Sequence, residues 1–279
     1  MQVDELLSQY AAGERDFREI SLVGQNLKGH DLSGINLRRA NLSGADLSGA
    51  NLSMANLREV NLFGANLNQA NLIETNLIGA DLTQAKLVEA NLTGAGLRGT
   101  RLIQVNMSRS ILQDANLGEA SLNKATLLAA NLRDACLNRT KLIDTNLTDA
   151  ILESANLSNA ILTGAILRGA KLIDAILQGA NLDEANLEDS DLRRARFTGA
   201  SLLNTVLRSA NMRGVNLNWT SMRGVDLTGA NLHRASLSWA NLSEANLTDA
   251  ILISANLNQV NLHNAILTGT MMPNAIAHE

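Results

Sequence analysis

Residues 36–55 read NLRRANLSGADLSGANLSMA, and this five-residue repeat decides the fold of the chain. From Leu22 to Met272 every fifth residue is apolar, and 46 of these 51 positions hold leucine. The residue two places earlier is small, and it is alanine at 34 of the 52 positions from Ile20 to Ala275. No insertion or deletion breaks the register, so the repeat extends over nearly the whole chain and determines its architecture.

A period of five fits neither regular secondary structure. On an α-helix, leucines five residues apart would be rotated by about 140° from one another. On a strand, side chains alternate between faces, so every second leucine would point away from the core. The chain must therefore turn once per repeat. Seventeen of the twenty glycines lie two residues after the leucine, which suits the positive-φ position of a type II turn, where only glycine is comfortable.

This pattern resembles the pentapeptide-repeat family, whose consensus A-(D/N)-L-x-x the chain matches almost everywhere. The resemblance implies an all-β fold, a right-handed quadrilateral β-helix with four repeats per coil, which the periodicity alone does not give. The 51 repeats would then make about 13 coils. We expect the leucines to fill the interior and the alanines to stay small beside them.

Residues 1–19 do not follow the repeat. Their apolar residues recur at helical spacing, and acidic residues stand in the first turn. These apolar residues are Val3, Leu6, Leu7 and Tyr10. We predict a short amphipathic helix from Val3 to Ala12 that caps the first coil, covering its leucines and its unpaired backbone groups.

The predicted organisation therefore has three parts. A helical cap occupies residues 1–19, a pentapeptide-repeat β-solenoid residues 20–275 and a tail residues 276–279. The tail shows no helical pattern, and we expect Pro273, which lacks a backbone donor, to blunt the edge of the last coil.

Composition and charge favour a cytoplasmic protein. The net charge of −4 is too mild to indicate a membrane or nucleic-acid partner. A single cysteine, Cys136, excludes an internal disulfide and fits a reducing compartment. No signal peptide is recognisable, and no stretch approaches the roughly 18 apolar residues of a membrane span. We expect a monomer in the cytoplasm.

Charge is segregated along the repeats. Residues 114–191 carry twelve acidic and six basic residues, whereas residues 192–243 carry seven arginines and one acid. Phe197, Met212 and Met222 also interrupt the leucines of this second segment. Departures from the repeat that coincide with outward Trp and Arg residues favour a binding site in this segment.

Positions 20 residues apart would stack on successive coils. Arg193, Arg213 and His233 then form one column, with Arg194 and Arg234 beside it. Trp219 and Trp239, the chain's two tryptophans, lie on the next corner, and Arg196 lies on the side between the two corners. The predicted protein-binding residues are Trp219, Trp239, Arg193, Arg194, Arg196, Arg213, His233 and Arg234.

Two alternatives stay open for this surface. The first is a solvated arginine face on which the two tryptophans stack only for local stability. The second places the binding surface on an outward isoleucine belt, formed by Ile151, Ile161, Ile166 and Ile176.

The sequence offers no catalytic motif. The four histidines show no metal-ligand spacing with one another or with Cys136, and no phosphate-binding loop or nucleophile elbow is present. A shaft filled with leucine leaves no cavity. We therefore predict no enzyme activity, no cofactor, no metal and no small-molecule substrate.

Residues near the two ends of the chain resemble one subgroup of the family. The residues concerned are Met1–Leu7, Tyr10–Gly13, Phe17, Met272–Pro273 and His278–Glu279. They look like the ends of cyanobacterial family members that include regulators of heterocyst differentiation. The resemblance implies a non-enzymatic protein-interaction scaffold with a regulatory role in differentiation or signalling. The predicted Trp and Arg surface in turn indicates a partner whose surface is acidic and partly apolar. The alternative function is a DNA mimic that modulates DNA gyrase or topoisomerase, as quinolone-resistance members of the family do.

Overall fold

Parallel β-bridges join residues that lie 20 positions apart, as Asn36 pairs with Asn56 and Asn156 with Ile176. The computed structural model, which describes residues 1–273, shows this register in two compact units, Met1–Lys141 and Leu142–Glu279. Twenty residues are four repeats, so a coil of either unit has four sides. Each side contributes one bridging residue, at the position that mostly holds Asn or Asp.

The backbone turns at every repeat. The carbonyl oxygen of Leu42 accepts a hydrogen bond from the N–H of Ala45 at 3.0 Å, and the third residue of the turn, Gly44, has a φ of 65°. A positive φ at this residue alone is the geometry of a type II turn. The expected turn is therefore present.

Glycine is not required at the third turn residue, contrary to the sequence-based expectation. Trp219 adopts a φ of 61° and Ala129 a φ of 52° at the same turn position. The left-handed conformation costs a side-chain-bearing residue about 1–2 kcal/mol. The hydrogen bond from the turn N–H to the next coil offsets this cost, as between Trp219 N and Ser238 O at 3.0 Å.

The leucines form the core of both units. From Leu22 to Leu252, each leucine position is at most 2% exposed, including the positions of Phe197 and Met222. The few hydroxyl groups at the alanine position are also buried, and they donate to backbone carbonyls, as Thr205 Oγ1 does to Leu182 O at 2.8 Å. A hydroxyl group is therefore accommodated in the core where a carbonyl oxygen accepts its proton.

Hydrogen bonds explain the preference for Asn and Asp at the outward position. Asn41 Oδ1 accepts a hydrogen bond from the N–H of Ser43 at 3.1 Å, which ties the side chain to the following turn. Asn71 Nδ2 donates to Asn51 Oδ1 at 2.9 Å, one coil away. A short amide side chain can make both bonds, so it stabilises the turn and the stack together.

The helix α1 spans Val3–Ala11, one residue less than predicted. Its Leu6 is fully buried, and Tyr10 Oη donates to the carbonyl oxygen of Ser33 at 2.7 Å. Val3 and Leu7 of α1 line a shallow depression together with residues of the first coil. The helix therefore contacts the N-terminal end of the first unit.

Parts of the predicted organisation stay predictions. Bridging to the next coil begins at Asp16, and the division into parts at residues 1–19, 20–275 and 276–279 is not tested. The tail at 276–279 lies outside the described residues. The total of about 13 coils also stays a prediction. Within the described residues, no helix has the length and apolar character needed to cross a bilayer.

Replacing Leu157 with Asp tests the leucine core. Leu157 is fully buried, so the variant would bury a carboxylate without a partner, at a cost of several kcal/mol. We expect a large fall in the melting temperature, measured by circular dichroism. Ile166→Asp is the control, because Ile166 is exposed and pairs with the uncharged Asn146 and Asn186 on the coils before and after it. An unchanged melting temperature for Leu157→Asp contradicts the leucine-core structure.

Deleting residues 1–12 tests the capping role of α1. The deletion leaves Phe17 and the first coil in place but uncovers leucines and backbone groups at the N-terminal end. We expect concentration-dependent self-association in sedimentation velocity. A truncated chain that stays monomeric at the highest concentrations would show that α1 is not needed as a cap.

Candidate protein-binding surface

Trp219 and Trp239 stack on one ridge of the second unit. Their ring centroids are 5.0 Å apart and their planes differ by 1°. This separation is close to the rise of about 4.8 Å between paired strands, because the two residues occupy equivalent turns of successive coils. The side chains are 60% and 50% exposed. We call this pair the tryptophan ladder.

Five of the predicted basic residues meet at one corner. They line a shallow depression of about 520 Å³ together with Asn211 and Gly214. We call them the arginine corner, which consists of Arg193, Arg194, Arg213, His233 and Arg234. The sequence-based columns therefore bring these side chains together.

Two arginines of the corner are neutralised by carboxylates. Arg194 binds Asp174 through two hydrogen bonds, from Nε at 2.7 Å and from Nη2 at 2.5 Å. Arg193 binds Asp191 in the same way, with Nη2 to Oδ2 at 2.6 Å. The hydrogen bonds from Arg194 hold the pKa of Asp174 below its usual range. Both ion pairs present little net charge to a partner.

Three arginines form no ion pair among the described residues. Among residues 1–273, the guanidinium groups of Arg196, Arg213 and Arg234 form no ion pair or side-chain hydrogen bond, and all three side chains are exposed. Arg196 lies on the side between the arginine corner and the tryptophan ladder, in the column of bridges Arg196–Asn216 and Asn216–Ser236. These are the cations available to a ligand.

The seven arginines of residues 192–243 do not form one patch. Arg208 and Arg223 lie at other corners, where they pair with Asp226 at 2.6 Å and with Glu244 at 3.1 Å. The net charge of the segment therefore overstates the positive charge of the candidate surface.

The sequence contained the signal for the ion pairs. Asp174 lies 20 residues before Arg194, and Asp191 two residues before Arg193. The 20-residue register predicts contact in the first pair, and the turn geometry brings the second pair together. Neither ion pair was predicted, because the basic columns were considered without the acidic residues beside them.

The isoleucine belt is distributed around the coil. The four isoleucines lie in four different columns of bridges, in which they pair with Lys171, Asn181, Asn186 and Arg196. Each side of the coil therefore carries one of them. A partner that contacts a single side would reach one isoleucine, which weakens the belt as an alternative surface.

The described residues contain no group of three or more His, Cys, Asp or Glu side chains placed to hold a metal ion. Cys136 is half-buried, and its thiol donates to Asn138 Oδ1 at 2.9 Å. The acids and histidines of the candidate surface act as ion-pair partners or surface groups.

Comparison with known proteins gives one family. The family model described as pentapeptide repeats matches residues 16–53, 55–94, 70–109, 110–149, 150–189, 190–229 and 230–269. A search of curated proteins finds no match.

Solved structures include pentapeptide repeat proteins. HetL, involved in heterocyst differentiation regulation in the cyanobacterium Nostoc sp. strain PCC 7120, is 34% identical, with 100% of both chains covered and a TM-score of 0.40. The protein alr5209 from Nostoc PCC 7120 is 38% identical over 34% of this chain and 80% of its own, with a TM-score of 0.22. QnrB1, a plasmid-mediated fluoroquinolone resistance protein, is 18% identical over 67% of this chain and 93% of its own, with a TM-score of 0.33.

Removing Arg194 tests the ion pair at the corner. In Arg194→Ala, Asp174 loses the hydrogen bonds that stabilise its ionised form, so its pKa should rise toward the ordinary value for aspartate. The pKa is measured by NMR titration of the side-chain carboxyl carbon. Arg213→Ala is the control and should leave it unchanged. An Asp174 pKa that does not move in Arg194→Ala contradicts the pairing.

Proposed function

The chain belongs to the pentapeptide-repeat family, whose fold is a right-handed β-helical solenoid, and from this premise we propose that it is a non-enzymatic scaffold for protein–protein interaction. Its binding surface combines the tryptophan ladder with the free cations Arg196, Arg213 and Arg234. The partner is a protein whose contact surface is acidic and partly apolar.

The exposed tryptophan ladder carries this proposal. Trp and Arg are enriched among the residues that dominate the energy of protein interfaces. The ladder presents large rings on a ridge held by turn hydrogen bonds, so little conformational entropy is lost when a partner contacts them. Stacking for local stability alone would account for about 0.5–1.5 kcal/mol, and it gives no reason for the unpaired arginines on the adjoining side and corner.

The charge distribution supports an acidic partner. Arg193 and Arg194 are already paired, so the attraction comes from the three guanidinium groups that form no ion pair within residues 1–273. Their Coulomb field extends over about 8–10 Å at physiological salt. We therefore infer that association slows as the salt concentration rises, because exposed charges act mainly on the association rate.

The biological setting is part of the proposal. We propose a regulatory role in differentiation or signalling in a cyanobacterium, based on the resemblance of the chain termini, and a monomer in the cytoplasm, which is the expectation from the sequence. HetL is described as involved in heterocyst differentiation regulation, which is the process we propose for this chain. The partner itself is best identified by affinity capture from the native organism.

The DNA-mimic function takes second place. A mimic of DNA must present acidic groups to the basic DNA-binding surface of its target. The three free arginines of the candidate surface would repel such a target. A gyrase supercoiling assay, with and without the protein, separates the two proposals, since only the DNA mimic should alter supercoiling.

Replacing both tryptophans with alanine tests the scaffold function. We expect Trp219→Ala with Trp239→Ala to weaken binding of the captured partner by about 2 kcal/mol or more. The melting temperature should fall little, because the rings are exposed and alanine is accommodated in this turn at residue 129. Calorimetric titration gives the affinity.

Phe63→Ala provides the matched control, because Phe63 is an exposed aromatic residue of the other unit. It should leave the affinity unchanged. If the double tryptophan variant binds the partner as tightly as the parent chain, the binding surface lies elsewhere.

A further inference from the structure

The tryptophan ladder ends at a glycine. Gly179, Gly199, Trp219 and Trp239 occupy the same turn position on successive coils, and all have a positive φ. The register is fixed by hydrogen bonds from Gly199 N to Asn218 O at 3.1 Å and from Trp219 N to Ser238 O at 3.0 Å. One face of the Trp219 ring lies on Trp239. Its other face is directed toward the coil of Gly199, which carries no side chain.

The space beside Trp219 is open. Apart from the chain neighbours of Gly199, no described heavy atom lies within 4 Å of the place that a Cβ would occupy there. The next position of the ladder is one coil away, about 4.8 Å, and stacked aromatic rings prefer centroid separations of about 4.5–7 Å. A third ring therefore fits above Gly199 with the spacing of the existing pair. We call this space the Gly199 slot.

Free positive charge lies beside the slot. Arg196 is on the same coil, three residues before Gly199. It is exposed and forms no ion pair among residues 1–273, although its charge contributes to the lowered pKa of Asp174. Arg213 is on the coil of Trp219, at the arginine corner. A side chain that enters the slot would bring the adjacent residues of its own segment toward these guanidinium groups.

We propose that the Gly199 slot receives an aromatic side chain from an acidic segment of the partner protein. The ring stacks on Trp219 as a third member of the ladder, and carboxylates next to it in the segment bind Arg196 and Arg213. This inference rests on the proposed function, because it names the chemistry of the partner that the same surface binds.

The charges favour a peptide over a nucleic-acid strand. Single-stranded nucleic acids also stack on aromatic residues, but they bind along a positively charged groove that follows the phosphates. Here the carboxylates of Asp174 and Asp191 stand at the same corner and neutralise two of the arginines. Two or three free cations match a few carboxylates of a short peptide.

The test compares two synthetic peptides on the full chain. Each is a fluorescein-labelled heptapeptide of aspartate and glutamate, with either phenylalanine or alanine at its centre. We expect fluorescence anisotropy to show at least tenfold tighter binding of the phenylalanine peptide. Equal affinities, or no binding of either peptide, overturn the proposal.

Gly199→Trp fills the slot from within. Tryptophan adopts this turn at residues 219 and 239 with φ values of 61° and 63°, close to the 69° of Gly199, so the variant should fold. It should lose the preference for phenylalanine over alanine. Gly229→Trp is the matched control at a different corner, with a φ of 66°, and should keep the preference. A preference that survives in Gly199→Trp places the ring elsewhere.

Intrinsic fluorescence gives a readout that needs no variant. The chain's two tryptophans both belong to the ladder, so a peptide with a central nitrotyrosine should quench their emission, and an unchanged emission contradicts stacking. An unlabelled oligothymidylate that displaces the phenylalanine peptide at lower concentration than unlabelled peptide would assign the slot to nucleic acid. The slot proposal and the scaffold function can fail separately. If the parent chain shows no preference for the phenylalanine peptide but the double tryptophan variant no longer binds the captured partner, the slot proposal is wrong and the scaffold function is supported.

Discussion

Backbone pairing between residues 20 apart is the interaction on which the rest of this structure depends. Within each unit it fixes a rise of about 4.8 Å per coil, which brings every fifth leucine into the packed interior and every fourth repeat onto the same side. The same pairing lets a turn accept a positive φ at a residue as large as tryptophan, because the turn N–H donates to the next coil. Packing and surface pattern are therefore consequences of one register.

The interior could be predicted because its constraint is local. A buried position such as Leu157 must be apolar and its neighbour Ala155 small, whatever lies on the surface. The number of sides could not be derived from the period of five, since the angle at each corner depends on backbone geometry that spacing does not encode. The family resemblance supplied it. The amide ladders, as between Asn51 and Asn71, were also missed, because a single repeat does not contain both partners.

The positions of the surface tryptophans and arginines could be predicted, but the ion pairing of the arginines could not. The 20-residue register correctly brought Trp219 onto Trp239 and Arg213 beside Arg234. Whether an arginine is free depends on which carboxylate its flexible side chain reaches, and Arg194 reaches Asp174 one coil away. The available positive charge is therefore smaller than the composition of residues 192–243 indicates, and it is concentrated at three exposed guanidinium groups.

Disulfide trapping tests the 20-residue register most directly. Ser201 and Ser221 form a parallel bridge, and the rise of one coil lies within the Cα separation of about 4.4–6.8 Å that a disulfide spans. In a Cys136→Ser background, Ser201→Cys with Ser221→Cys should oxidise rapidly to an intramolecular disulfide, counted by mass spectrometry after thiol labelling. Ser201→Cys with Asn216→Cys, 15 residues apart on different sides, should stay reduced. Rapid cross-linking of the second pair, or none of the first, would contradict the register from which the whole account follows.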